Sequence, residues 1–185
     1  MMMKTTEYLF LGNLMPGKGV LVLLDACVVL RKSVPHFKCH FVGAASPDME
    51  PEELRECVRN CNLQDCVLVH GPLYGEKKEE MFRRADVFVF PTYIDCFPLV
   101  VVEAMKHGLP VISTEEGAIP DMVIHGETGL LVEKRNSKAL AAAMQQLASN
   151  PEWAAQMGRK GRSLYEASFT QSAFEQRVCD ILHRA

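Results

Sequence analysis

Residues 87–114 read VFVFPTYIDCFPLVVVEAMKHGLPVIST. Val87 to Phe90 is a short apolar run stopped by Pro91, the pattern of a strand buried on both faces. Pro98 suits the first position of a helix, where its missing N–H is not needed, and Gly108 closes that helix. Pro110 to Ser113 then reads as the next strand. In such an arrangement the free N–H groups of Leu99 and Val100 face forward along the helix axis, and a helix start of this kind attracts anions. Two carboxylates bracket it, Asp95 in the preceding loop and Glu103 inside the helix. Neither stands where core packing would place it.

Upstream, the same alternation repeats. Tyr8 to Leu11 is an apolar strand, and Gly12-Asn13-Leu14-Met15-Pro16-Gly17-Lys18-Gly19 is a glycine-punctuated turn into a helix running to about Lys32. Its spacing matches neither G-x-G-x-x-G nor G-x-x-x-x-G-K-[ST]. Pro35 to Lys38 reads as a turn and Cys39 to Val42 as a strand ending at Gly43. A charged helix follows from Pro51 to about Asn60, with Leu54 and Val58 inward. Cys66 to Val69 is a further strand stopped by His70-Gly71-Pro72, and Glu76 to Arg84 a short helix with Met81 and Phe82 inward. Asp65 and Asp86 read as turn and strand-edge residues.

Downstream, Glu115 to Pro120 is a glycine-containing loop, His125 to Gly129 a structural turn, and Gly129 to Val132 a last strand. From Ser137 the chain reads as helix in three segments, 137–149, 151–166 and 170–183, with Ser137 and Asn150 as N-caps. Leu140, Met144 and Leu147 form a core stripe. Alternating strands and helices predict a Rossmann-like three-layer α/β/α domain with a parallel sheet of about six strands, followed by C-terminal helices. In such a sheet ligands bind beyond the carboxyl ends of the strands. Asn13, Lys18, Gly43, His70, Asp95 and Gly117 all fall there.

The strand ending at Pro91, Asp95, Phe97, Glu103-Ala104-Met105 and Gly108-Leu109-Pro110-Val111 resemble the Glu-x7-Glu region of retaining nucleotide-sugar glycosyltransferases of the GT-B fold. Asp95 stands where Glu is commoner, which keeps the carboxylate and shortens its reach by one methylene. Lys18-Gly19 resembles the family's Lys-Gly after the first strand, with Asn13 where a basic residue often stands. GAIPDMVIHGETGLLV resembles its Gly-Gly-x-Pro-Glu segment, with Ala118 and Asp121 in place of Gly and Glu.

The resemblance implies a donor site of Gly12, Asn13, Lys18, His70, Gly71, Asp95, Phe97, Leu99, Val100 and Glu103. Within it, Lys18 would meet the donor diphosphate, Asp95 would lie near the donor sugar, and Lys18 and Asp95 would form the catalytic pair. Glu103 would bind the ribose hydroxyls, and His70, Gly71 and Leu73 would flank the base. Without the resemblance, Lys18 reads as a solvated lysine, Lys106 at i+3 as the partner of Glu103, and His70 as an ordinary strand-end side chain. No cofactor and no metal are expected, the substrate being a nucleoside-diphosphate sugar.

Residues 1–185 are expected to form a single nucleotide-sugar-binding domain, the C-terminal half of a two-domain enzyme whose N-terminal acceptor domain is absent. Any peripheral membrane contact would belong to that missing domain. In the family the terminal helix crosses back onto the other domain, and Phe169, Phe174, Val178 and Leu182 could supply its face. The rival reading is a non-catalytic nucleotide-binding or interaction module of the same fold.

Composition agrees with this class. The chain is 48% hydrophobic with a net charge of −3, enough to fill a core and without a basic stripe for nucleic acid. No apolar run reaches the roughly 18 residues of a spanning helix, and MMMKTTEYLF lacks a signal peptide's apolar core, so a cytoplasmic location is expected. Seven cysteines, scattered among apolar positions, read as reduced and mostly buried thiols. Cys57, Cys61 and Cys66 lie close in sequence, but no C-x2-C or histidine spacing completes a zinc set.

Overall fold

The computed structural model describes residues 5–184, so the first four residues of the amino-terminal stretch lie outside the described residues. Six strands form one sheet: β1 (Thr6–Leu11), β2 (Phe37–Val42), β3 (Val67–Gly71), β4 (Val87–Phe90), β5 (Val111–Thr114) and β6 (Gly129–Val132). Their order is β3-β2-β1-β4-β5-β6, and every neighbouring pair is parallel. The reason is legible in β4 and β5, whose residues are buried throughout. Helices cover both faces of a parallel sheet, so its strands are apolar on both sides.

The covering helices are α1 (Val20–Leu30), α2 (Pro51–Asn60), α3 (Gly75–Arg84), α4 (Leu99–Lys106), α5 (Ile119–Met122), α6 (Ser137–Ser149), α7 (Pro151–Ser168) and α8 (Gln171–Arg184). Right-handed crossovers put α1 and α4 on opposite faces, because the chain moves one way from β1 to β2 and the other from β4 to β5. Helix α6 packs on α1, while α4 and α5 pack on α7. Between the layers, Phe10 lies 5.6 Å from Phe41 and 5.7 Å from Phe90, ring centre to ring centre. The buried Tyr8 hydroxyl donates to the carbonyl of Met144 at 2.8 Å, tying the central strand to α6.

Several boundaries differ from the sequence reading. Strand β2 starts at Phe37, inside the expected turn, because Phe37 is buried edge-on against Tyr8 with ring centres 6.1 Å apart. Strand β3 runs to Gly71, whose carbonyl accepts from the Gly43 amide at 2.9 Å. Helix α1 ends at Leu30, where a turn takes over. Pro98 is the residue before α4, with ψ 100°, and Leu99 is the first helical residue. Residues 119–122 form a short helix where a loop was expected, continued from the turn at Gly117.

The cap of α6 is Asn136, whose side-chain oxygen accepts from the Ala139 amide at 2.9 Å; Ser137 is already helical. Asn150 does stand at the cap position of α7, but its side chain donates back to the Gln146 carbonyl. Helix α7 runs two residues past the expected end, to Ser168. His125 serves the turn as expected, its Nδ1 accepting from the Leu131 amide at 3.0 Å. Among the terminal aromatic and aliphatic residues, Phe169, Phe174 and Val178 line an apolar groove of about 550 Å³ together with Phe97, Leu99 and Val102. The side chain of Leu182 lies outside the described residues.

Candidate donor site at the switch point of the sheet

Strand order reverses between β1 and β4, since β1 leads to β2 on one side and β4 to β5 on the other. At such a reversal ligands sit in a crevice beyond the carboxyl ends of the strands. A cavity of about 310 Å³ occupies that position. Its walls come from the end of β1 (Leu11, Gly12, Asn13), the end of β2 (Val42, Gly43, Ala44), the loop before α3 (Pro72, Leu73, Tyr74), Lys78 of α3, and Leu99, Val100 and Glu103 of α4.

Local chemistry holds these loops together. The Gly12 amide donates to Val42 and the Leu14 amide to Ala44, at 3.0 and 2.9 Å, so the loops after β1 and β2 run side by side. A Cβ on Gly43 would stand 1.8 Å from the Gly12 carbonyl oxygen, so this approach requires glycine there. In α4 the first amide bonded back is that of Val101, to the Pro98 carbonyl at 3.0 Å. The amides of Leu99 and Val100 have no acceptor among the described residues, and both residues line the cavity.

Glu103 does not pair with Lys106. Its Oε1 accepts from Lys78 Nζ at 2.6 Å, and the two side chains are 36% and 25% exposed, so they form the charged patch of an otherwise apolar wall. Sequence reasoning missed Lys78. The signal was present, because Lys78 stands three and four positions before the inward-facing Met81 and Phe82, on the same side of α3.

Lys18 and Asp95 meet each other. Lys18 Nζ lies 2.6 Å from Asp95 Oδ2 and 3.0 Å from the Ile94 carbonyl, and the pair stands outside the cavity walls. The loop carrying Asp95 is held from two directions. On one side Tyr93 N–H and the Thr92 hydroxyl donate to the Gly17 carbonyl at 2.9 and 3.1 Å. On the other, the Ala118 amide donates to Cys96 at 2.9 Å, and Gly117 (φ 51°) approaches so closely that a Cβ would lie 2.3 Å from the Asp95 carbonyl oxygen. Phe97 faces elsewhere, 6.5 Å from Phe169 in the apolar groove.

His70 and Gly71 do not line the cavity; Pro72 and Leu73, which follow them, do. His70 instead borders a separate groove with Arg55 and Arg59. Its Nε2 lies 2.9 Å from His40 Nδ1, and the rings stack. Burial pushes both histidines below the ordinary imidazole range; the nearby Arg84 adds to this, while the Glu7 carboxylate beside His40 opposes it. Among the described residues no three His, Cys, Asp or Glu side chains converge as a metal site. Cys57 and Cys61 are half-buried, and the buried Cys66 thiol donates to the Leu63 carbonyl. Cys27 and Cys39 are buried as well, and Cys96 and Cys179 are exposed, so the described thiols are free and mostly buried or half-buried. No helix among the described residues is long and apolar enough to cross a membrane.

The chain and its fold are similar to those of known proteins. Residues 3–164 match the family model described as glycosyl transferases group 1. D-inositol 3-phosphate glycosyltransferase of Streptomyces avermitilis is 33% identical over 157 residues, which are 82% of this chain and 34% of that protein. The chain therefore spans about a third of the length of the curated relatives of this kind. The solved C-terminal domain of the glycosyl transferase group 1 family protein LpcC from Francisella tularensis superposes with a TM-score of 0.80 at 25% identity, covering 91% of this chain and 87% of that one. Anabaena HepE, solved in complex with UDP and glucose, shares the fold with a TM-score of 0.87 at 21% identity, covering 98% of this chain and 49% of that one. With its six-stranded parallel sheet and its match across residues 3–164, the chain belongs to the group 1 glycosyl transferases and has the Rossmann-like α/β domain of the GT-B enzymes.

Proposed function

We propose that this chain is the donor-binding domain of a retaining glycosyltransferase, holding a nucleoside-diphosphate sugar while an acceptor is bound by a further part of the protein. The observation that carries the reading is the cavity at the switch point, lined by Glu103 and by Leu99 and Val100, whose amides have no acceptor among the described residues. A carboxylate suits vicinal ribose hydroxyls, because it accepts two hydrogen bonds at once. Free amides at a helix start suit the diphosphate. Its leaving as an anion is favoured by positive potential that strengthens as the glycosidic bond breaks.

In this reading the catalytic pair is Lys18 and Asp95. Lys18, which donates to Asp95 at 2.6 Å, exchanges that partner for the diphosphate, and the released Asp95 carboxylate faces the donor sugar. The match to a solved C-terminal domain supports the division of labour, and the UDP complex of HepE supports a nucleotide ligand.

Calorimetric titration of UDP, GDP and ADP, each with its nucleoside, into wild type and Lys18→Ala tests this. Wild type is expected to bind one of the diphosphates. The variant should lose at least about tenfold on the diphosphate, as for a charge-assisted hydrogen bond of roughly 1.5–3 kcal/mol, and little on the nucleoside. Absence of binding to all three diphosphates overturns the reading, and equal losses on diphosphate and nucleoside remove Lys18 from the phosphate site.

A further inference from the structure

The charged side chains on the wall of the donor cavity are Lys78 and Glu103, and they touch each other. Glu103 has a lysine on its own helix, Lys106, within the spacing at which helix side chains pair, yet the partner it takes comes from α3 across the cavity mouth. We infer that Lys78 is a positioning residue of the donor site, which fixes the carboxylate of Glu103 so that its second oxygen is presented to the ribose hydroxyls. The inference rests on the donor-site reading above.

Two physical arguments lead there. The first is geometric: Lys78 Nζ donates to Oε1 at 2.6 Å, which fixes the carboxylate and leaves both acceptor sites of Oε2 for the two hydroxyls of a ligand. A glutamate has three rotatable bonds, and a carboxylate tethered at one oxygen loses less freedom when it binds a diol. The second is electrostatic. Alone, Glu103 would place a negative charge in the space a nucleoside diphosphate has to enter, whereas the pair is neutral. A lysine at position 78 therefore lets one wall hold a hydroxyl-reading carboxylate without repelling the phosphates.

Both side chains are partly exposed, so the pair contributes little to folding, and its placement on the cavity wall rather than on open surface is what calls for a ligand-binding account. Helix α3 also supplies Met81 and Phe82 to the core, and Phe82 stacks on His107 at the end of α4 with ring centres 5.0 Å apart, which ties the two helices together.

The experiment is calorimetric titration of wild type, Lys78→Met, Lys78→Arg and Glu103→Ala with UDP, GDP and ADP and with the 2′,3′-dideoxy form of each. Wild type should prefer the ribose form of the diphosphate it binds by tenfold or more. Glu103→Ala should lose most of that preference and bind ten- to a hundredfold more weakly. Lys78→Met should lose most of it too while keeping the wild-type melting temperature, and Lys78→Arg should restore it in part. A Lys78→Met variant that keeps the full ribose preference overturns the positioning role, whatever its overall affinity. Wild type that binds none of the diphosphates overturns the donor-site reading and this inference with it. Wild type that binds a diphosphate without ribose preference leaves the donor site standing and overturns the role given to Glu103 and Lys78.

Discussion

At the level of single residues, charge pairing separates what is local from what is not. Glu103 and Asp95 were visible as carboxylates out of place on an apolar helix and in its entry loop. Their partners were not. Lys18 and Asp95 are 77 positions apart and Lys78 and Glu103 are 25 apart, so each pairing depends on how the strands are ordered. The same holds for His40 and His70, brought together by the pairing of β2 with β3. Around them stand the Glu7 carboxylate and the guanidinium groups of Arg84 and Arg55. Both imidazoles bind a proton less readily in the fold than in the unfolded chain, so protonation favours unfolding. The stability they contribute is complete above the ordinary histidine value of 6.5 and is lost as pH falls below it toward their lowered values. Urea midpoints between pH 5 and pH 8 should therefore fall on the acid side more steeply for wild type than for His40→Gln/His70→Gln. Identical slopes would contradict the assignment.

At the level of elements, type was easier to read than extent. Apolar runs of four residues identified the strands, because a sheet covered on both faces demands them. Their ends depend on tertiary contacts: Phe37 joins β2 because Tyr8 receives its ring, and Gly71 joins β3 because the Gly43 amide needs its carbonyl. Caps follow the same rule. Asn136 and Ser137 are adjacent and both chemically able to cap, and sequence alone favoured the wrong one. The structure assigns the cap to Asn136, which also donates to Glu133 at 2.8 Å. Asn136→Ala should then cost about 1 kcal/mol, a melting shift of roughly 2–4 °C for a domain of this size, while Ser137→Ala should cost almost nothing. Thermal unfolding of the two variants side by side checks this, and a larger loss at Ser137 would reverse the assignment.

For the whole molecule, the order β3-β2-β1-β4-β5-β6 decides where a ligand can sit, and that conclusion follows from topology. It gathers Gly12, Asn13, Leu99, Val100 and Glu103 around one cavity, puts Lys18 and Asp95 in a salt bridge, and sends Phe97 and His70 to grooves of their own. Which loops follow the strands could be read from sequence, so the rim of the site was legible even where a strand's last residue was not. The direction each side chain takes from that rim was not, since it depends on neighbours such as His40 and Phe169 that arrive from other elements. The apolar groove along α8 is larger than the cavity at the switch point and competes with it as a place for a small molecule.

Amide hydrogen exchange with and without a saturating nucleoside diphosphate separates the two places most directly. A ligand at the switch point should slow exchange at Asn13 and Val100, which line the cavity and not the groove, and leave residues 168–178 unchanged. Protection at residues 168–178 with none at Asn13 and Val100 would contradict the central claim.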